Sequence, residues 1–303
     1  MDTLFDSSLK LPVYGKGKVR DTYQVGEKLL MVATDRISAF DFVLPNGIPD
    51  KGIVLNQISA FWFGKTYHLM HNHMVESIES RRALLKYSLW KRPLPELLLG
   101  RSMIVLKAER IPVECVVRGY IAGSAWAEYK KKGTINGRKA RRGLVESQEL
   151  AEPLFTPTTK AAVGHDLPLT PGELVDLVGE RTARKIEEKS LALYNFARAY
   201  AIERGIIIAD TKFEFGVQDK KLILIDEALT PDSSRFWDAG QYEPGQSQPS
   251  FDKQPVRDWL IASGWNRKAP VPALPADVVE ATAERYRDAY SLITGRKFKN
   301  VFI

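Results

Sequence analysis

The stretch Ile206-Ile207-Ile208-Ala209-Asp210-Thr211-Lys212-Phe213-Glu214-Phe215-Gly216 changes character halfway along. Its first four residues read as a strand buried on both faces. From Asp210 the pattern alternates. Successive strand side chains point to opposite faces, so Asp210, Lys212 and Glu214 share one face and Thr211, Phe213 and Phe215 the other. A half-buried strand with one wet face gives the same alternation. A charged row that directly continues a buried run, however, predicts the wall of a cleft. The chain then turns around Asp219-Lys220, returns over residues 222–225 and reaches Asp226-Glu227. If the turn is a three-residue loop, 219–221, Glu214 and Asp226 lie directly opposite each other, with Cβ atoms about 4.5–5.5 Å apart. Two carboxylates at that spacing repel unless a cation lies between them. Magnesium suits such a place, because it takes oxygen ligands, keeps waters and bridges phosphates. Lys212 beside them can neutralise a phosphoryl or carboxylate oxygen.

Downstream, Pro231-Asp232-Ser233-Ser234-Arg235 reads as a turn that presents an arginine, whose planar fork suits phosphate or carboxylate. A surface-loop arginine would give the same sequence. Upstream, Arg118 ends an apolar strand expected over 113–118. The turn Gly119–Gly123 follows, and Ser124 is expected to cap a helix ended by Gly133. A helix start at that point favours anions. Thr170-Pro171-Gly172-Glu173 predicts a capped helix start, with helix continuing towards Arg204 and broken near Gly179. Asn136-Gly137 predicts a tight hairpin turn.

The first third reads as strands at 18–25, 29–34 and 101–107 with a helix over 52–70, and helices are expected at 255–262 and 276–294. Gly15-Lys16-Gly17-Lys18 joins flexible backbone to two cations, as a phosphate-binding turn or a basic surface turn would. Thr156-Pro157-Thr158-Thr159-Lys160 adds hydroxyls and a cation. No G-x-x-x-x-G-K-[ST] or G-x-G-x-x-G is present, so a nucleotide site has to be of another type. His68, His71 and His73 are expected to carry favourable charge at the end of the 52–70 helix rather than to bind zinc.

Of 303 residues, 44% are hydrophobic and 27% charged, enough for a sizeable core in two lobes. There is no apolar run of membrane-spanning length. The single cysteine, Cys115, excludes an internal disulfide, so the sequence reads as cytoplasmic. The net charge of +7 fits attraction of small polyanions or, less well, nucleic-acid binding. The basic residues are spread along the chain. The densest cluster, Lys130-Lys131-Lys132 to Lys139-Arg141-Arg142, reads as a solvated helix end and hairpin.

Two of these stretches, Pro112–Arg118 with Ala122-Gly123-Ser124 and Ile208–Gly216, carry a close resemblance to the SAICAR synthetase family. Gly15–Asp21, Thr34–Asp41, Phe155–Lys160 and Asp226–Arg235 support it in family order, across nearly the whole chain. The resemblance implies an α+β, two-lobed, ATP-grasp-like fold, with a strand-rich nucleotide lobe over 1–108 and a substrate and metal lobe over 109–303. It implies a ligase that joins L-aspartate to the carboxylate of 5-amino-1-(5-phosphoribosyl)imidazole-4-carboxylate (CAIR), giving SAICAR, ADP and phosphate in purine synthesis. ATP and Mg2+ are the implied cofactors. By motif, Lys16, Lys18 and Lys160 would meet ATP, and Leu106, Ala108 and Glu109 would form the hinge under adenine. Glu214 and Asp226 would hold the metal. Arg118, Ser124, Asp210, Lys212, Ser234, Arg235, Arg257, Ser38 and Asp41 would contact substrate, with Asp210 and Lys212 closest to the chemistry. The expected partners are these small molecules alone, with no nucleic acid and no membrane, and the chain is expected to be a monomer. Another ATP-using enzyme on the same scaffold, such as a small-molecule kinase, would release ADP without needing aspartate.

Overall fold

The computed structural model describes residues 3–40, 42–87, 95–160, 166–251 and 253–299. Two antiparallel sheets organise them. The first runs in the order Val13–Lys16, Arg20–Val25, Lys28–Ala33, Ser102–Leu106 and Met74–Ser77. The helix Lys51–Lys65 covers it and is buried almost all round. At its start Gly52 approaches so closely that a Cβ would sit 2.3 Å from the Ala33 carbonyl oxygen. No side chain larger than hydrogen fits there.

The second sheet is built on the strand Ile206–Gln218. Val113–Tyr120 and Lys221–Ile225 pair with it, Ser234–Asp238 and Glu109–Arg110 pair with other parts of its length, and Glu149–Phe155 pairs with Val113–Tyr120. The helix Glu180–Ile202 lies against this sheet, and Tyr194 Oη donates to the Ile208 carbonyl at 2.7 Å. Phe213 and Phe215 are fully buried in the main core, as the alternation predicts. Cys115 is in the same core at 0% exposure, and burial pushes its thiol far above the ordinary range. The helix Ala276–Thr294 returns to pack on Lys51–Lys65, so the end of the chain braces its first helix.

Several predicted elements are present with their predicted chemistry. Thr170 and Glu173 form a reciprocal capping box at the start of Pro171–Val178. Gly179 separates that helix from Glu180–Ile202. Asn136 and Gly137 have φ of 51° and 74° and join the strands Thr134–Ile135 and Arg138–Lys139. Gly133 ends the helix Gly123–Lys132 at φ 68°.

Three expectations are corrected. Ser124 does not cap that helix: Ala122 is the N-cap, and Ser124 sits in the first turn, where its hydroxyl accepts from Arg118. The hairpin after Ile206–Gln218 has a two-residue turn, since Gln218 pairs with Lys221 and Glu214 with Ile225. Asp219 and Lys220 take φ of 49° and 62° to close it. The helix expected over 52–70 stops at Lys65, so the three histidines lie beyond it. His73 is buried rather than charged. Burial pushes its imidazole down to about 4, and Nε2 lies 3.2 Å from the Asp226 carbonyl oxygen.

Candidate active site

A cleft of about 1060 Å³ lies between the first sheet and the charged face of Ile206–Gln218. The turn Gly15–Lys18 forms one wall, and Leu29, Met31, Val105, Leu106 and Ala108 supply an apolar floor. Glu114, Lys160, Lys212, Glu214, Asp226 and Glu227 form the opposite wall. Ser38, Asp232, Ser233 and Lys253 complete the lining at other points.

The charged wall follows from strand register. Asp210 is opposite Arg118 and Lys212 opposite Val116 on the neighbouring strand. Opposed residues share a face, so Arg118, Asp210, Lys212 and Glu214 lie on one side of the sheet. Lys212 Nζ is 2.9 Å from Glu114 Oε1, and Lys160 pairs with Glu214. Burial opposes the charge on Lys212, but Glu114 outweighs it and holds the amine above its usual range.

Glu214 and Asp226 reach the same cleft although they are not opposite in register. The ladder ends at Ile225, and Asp226 takes φ 66°, a left-handed conformation that breaks the strand alternation. Burial, and then the negative charge of Asp226, push the Glu214 carboxyl up to about 6. Burial also works against ionisation of Asp226, but Arg20 and then Lys160 outweigh it and hold it below the ordinary carboxylate range. Two carboxylates that share one cleft, one raised by its neighbour and the other held down by surrounding cations, have the chemistry of a donor pair for a divalent cation. Among the described residues no group of three or more His, Cys, Asp or Glu could hold a metal. A metal here would thus complete its shell with substrate and water oxygens, which suits Mg2+.

A second charged group adjoins the first along the same strand. Asp210 accepts from Arg118 Nη1 at 2.8 Å and from Arg235, and Arg118 Nη2 donates to Ser124 Oγ at 3.2 Å. Gly123, at φ 56°, allows this, because a Cβ there would sit 2.2 Å from Arg235 Nη2. Ser234 Oγ is 2.8 Å from Thr211 Oγ1. Two guanidinium groups converge on one carboxylate, a pairing whose planar donors have the chemistry to bind carboxylate or phosphate.

The family model described as SAICAR synthetase matches residues 13–272. The chain belongs to the SAICAR synthetase family. It is 50% identical over 297 residues to the phosphoribosylaminoimidazole-succinocarboxamide synthase of Thermodesulfovibrio yellowstonii, covering 97% of this chain and 99% of that one. It is 52% identical to the same-named protein of Desulforapulum autotrophicum over 93% and 94% of the two chains. Among solved structures it resembles the SAICAR synthase of Saccharomyces cerevisiae complexed with SAICAR, at 45% identity, TM-score 0.88 and 99% coverage of both chains. It also resembles a SAICAR synthetase in complex with ADP, at 26% identity, TM-score 0.67 and coverage of 95% and 99%. Family members are ATP-dependent ligases of purine synthesis, and this chain is one. The two-lobed α+β fold is the family fold.

Of the residues singled out in the sequence, Lys16, Lys18, Leu106, Ala108, Lys160, Ser38, Lys212, Glu214 and Asp226 line the cleft. Arg118, Ser124, Asp210 and Arg235 form the adjoining cluster. Glu109 does not line the cleft; it is exposed in the short strand Glu109–Arg110. Arg257 lies outside the lining, on the helix Gln254–Ala262 just beyond the cleft residue Lys253. Asp41 lies outside the described residues. Sequence reading missed Arg20, Glu114, Glu227, His73 and Lys253. Arg20 reaches from the first sheet to Asp226 at 2.6 Å and Glu227 at 3.1 Å. Glu114 sits inside the quoted 112–118 motif, where strand alternation with Arg118 places it on the charged face. That was the available signal.

Proposed function

We propose that this cleft joins L-aspartate to the carboxylate of CAIR with consumption of ATP, and that its two charged groups divide the work. The observation that carries the proposal is the strand that presents Lys212 and Glu214 to the cleft lined by the Gly15–Lys18 turn and, on the same face, Asp210 to the adjoining Arg118–Arg235 cluster. A carboxylate is a poor acyl donor because oxide would have to leave. Transfer of the γ-phosphoryl group of ATP to a CAIR carboxylate oxygen gives an acyl phosphate. The aspartate amine then attacks the carbonyl carbon, phosphate leaves with the C–O bonding pair, and the amine loses a proton. Phosphoryl transfer asks for positioning and charge neutralisation rather than an enzyme nucleophile.

In this reading Lys16 and Lys18 meet the nucleotide phosphates and the backbone from Leu106 to Ala108 borders the adenine, with Lys160 nearby. Glu214 and Asp226 would hold Mg2+, which would supply positive charge to offset that of the transferring phosphoryl group. Arg118, Ser124, Ser234, Arg235 and Arg257 bind CAIR. Asp210 orients the two arginines, Lys212 neutralises developing negative charge, and Ser38 and Asp41 are further substrate contacts. The lobes divide at 108/109, and the chain acts as a monomer on small molecules without nucleic acid. Among the described residues no helix is long and apolar enough to cross a membrane.

The test is direct. Purified protein with CAIR, L-aspartate, ATP and Mg2+ is expected to form SAICAR and ADP in equal amounts. ADP release that continues without aspartate, or no SAICAR above an enzyme-free control, would overturn the reading.

A further inference from the structure

The densest run of cations in the chain equals its net charge of +7. Residues 130–142 contain Lys130, Lys131, Lys132, Arg138, Lys139, Arg141 and Arg142 and no acidic residue. Removing those seven from the 44 Lys+Arg leaves 37, which balances the 37 Asp+Glu. All seven are exposed, and among the described residues none forms a salt bridge.

The segment is held in place. Tyr129 Oη donates to the Arg141 carbonyl at 3.0 Å, and the Leu144 amide donates to Tyr129 Oη at 3.1 Å. Glu128 accepts from Thr134 Oγ1 at 2.6 Å and from the amides of Asn136 and Gly137 at 3.0 and 2.8 Å. The hairpin is thereby tied to the helix Gly123–Lys132. Stabilisation of a helix C-terminus accounts for Lys130–Lys132. It does not account for the four cations on the hairpin.

The other end of that helix is the substrate cluster, through Ser124 on Arg118 and Gly123 against Arg235. Ten residues at about 1.5 Å each put the patch about 15–20 Å from the cluster. We infer that residues 130–142 form a fixed electrostatic collector that draws multiply charged anionic substrates, above all the phosphate- and carboxylate-bearing CAIR, towards the Arg118–Arg235 site. This rests on the function proposed above.

The size of the effect follows from Coulomb attraction and screening. Seven charges acting on a ligand of charge near −3 at about 15–20 Å favour its arrival at least about tenfold at 0.01 M ionic strength, and about two- to fivefold at 0.15 M. The effect scales with ligand charge. It is greatest for CAIR, smaller for magnesium-bound ATP and smallest for L-aspartate.

The experiment replaces all seven residues by Gln and measures kcat/KM for each substrate at both ionic strengths. A second variant, R138Q/K139Q/R141Q/R142Q, leaves the helix end intact and serves if the first does not fold. The expected result is a loss of at least about tenfold for CAIR at 0.01 M, shrinking at 0.15 M, with the loss ordered CAIR, ATP, aspartate and kcat unchanged. Equal losses for all three substrates, or an unchanged salt dependence for CAIR, would overturn the inference. Wild-type turnover is measured first: its absence sinks the proposed function, whereas normal turnover with indifferent variants sinks only the collector.

Discussion

Glu214 and Asp226 show how a single backbone angle can decide a site. In an uninterrupted ladder, the residue after Ile225 would point away from the Glu214 face. The left-handed turn at Asp226 brings its carboxylate back into the cleft. The cost of a non-glycine residue there is of order 1–3 kcal/mol, the kind of strain that persists where surrounding contacts hold it. Arg20 and the buried His73 supply such contacts. Glu214→Gln and Asp226→Asn keep the side-chain shapes but remove the charges. Each is expected to lower kcat by about 10²–10³, the scale of losing one preorganised electrostatic contact. Each should also weaken Mn2+ binding, read by electron paramagnetic resonance in the presence of a non-hydrolysable ATP analogue. Unchanged turnover at limiting Mg2+ would remove both carboxylates from the metal assignment.

Among the elements, what was legible followed local chemistry. The capping box at Thr170, the Asn136-Gly137 turn and the alternating strand each carry their geometry in adjacent residues, and each is present. The turn at Asp219-Lys220 was misjudged by one residue because lysine at positive φ gives no sequence signal comparable to glycine. That slip reversed the predicted pairing of Glu214, although the cleft survived it. Ser124 looked like a cap because a serine preceded a helical run, yet the N-cap is Ala122, two residues earlier, and the hydroxyl serves Arg118. Arg20 was invisible because its carboxylate partners lie about two hundred residues away. The capping box gives a clean contrast with the site. Thr170→Ala is expected to cost about 1 kcal/mol of stability, read as a lowered Tm, with kcat and KM unchanged. Altered kinetics would mean that the Pro171–Val178 helix influences the cleft.

Across the whole molecule, distant segments meet on one buried carboxylate. Lys51 Nζ is 2.7 Å and Tyr286 Oη 2.6 Å from opposite oxygens of Asp232, and Lys253 lies 3.7 Å away. The first helix, the last helix and the turn before Ser234-Arg235 are thus joined. Burial alone would raise the Asp232 carboxyl, but Lys253 and Lys51 outweigh it and hold it well below its ordinary value. The unfolded chain therefore takes up the proton first as pH falls. Stability from this group is present above about pH 4 and is lost below it. Asp232→Asn leaves Lys51 buried without its countercharge, at a cost of roughly 3–5 kcal/mol. Its Tm should be lower at neutral pH and fall less steeply than wild type below pH 4. A variant melting like wild type at neutral pH would show that the network contributes little.

Cys115 has a practical consequence. With its sulfur sealed in the core and its ionisation suppressed, the folded chain should ignore maleimides and react only once unfolded, as mass spectrometry would reveal. The native protein then offers a silent background for chemistry at sulfur. One cysteine engineered on each rim of the cleft could carry a dye pair, and the distance across the cleft with and without nucleotide could be read by energy transfer without first removing anything from the natural sequence.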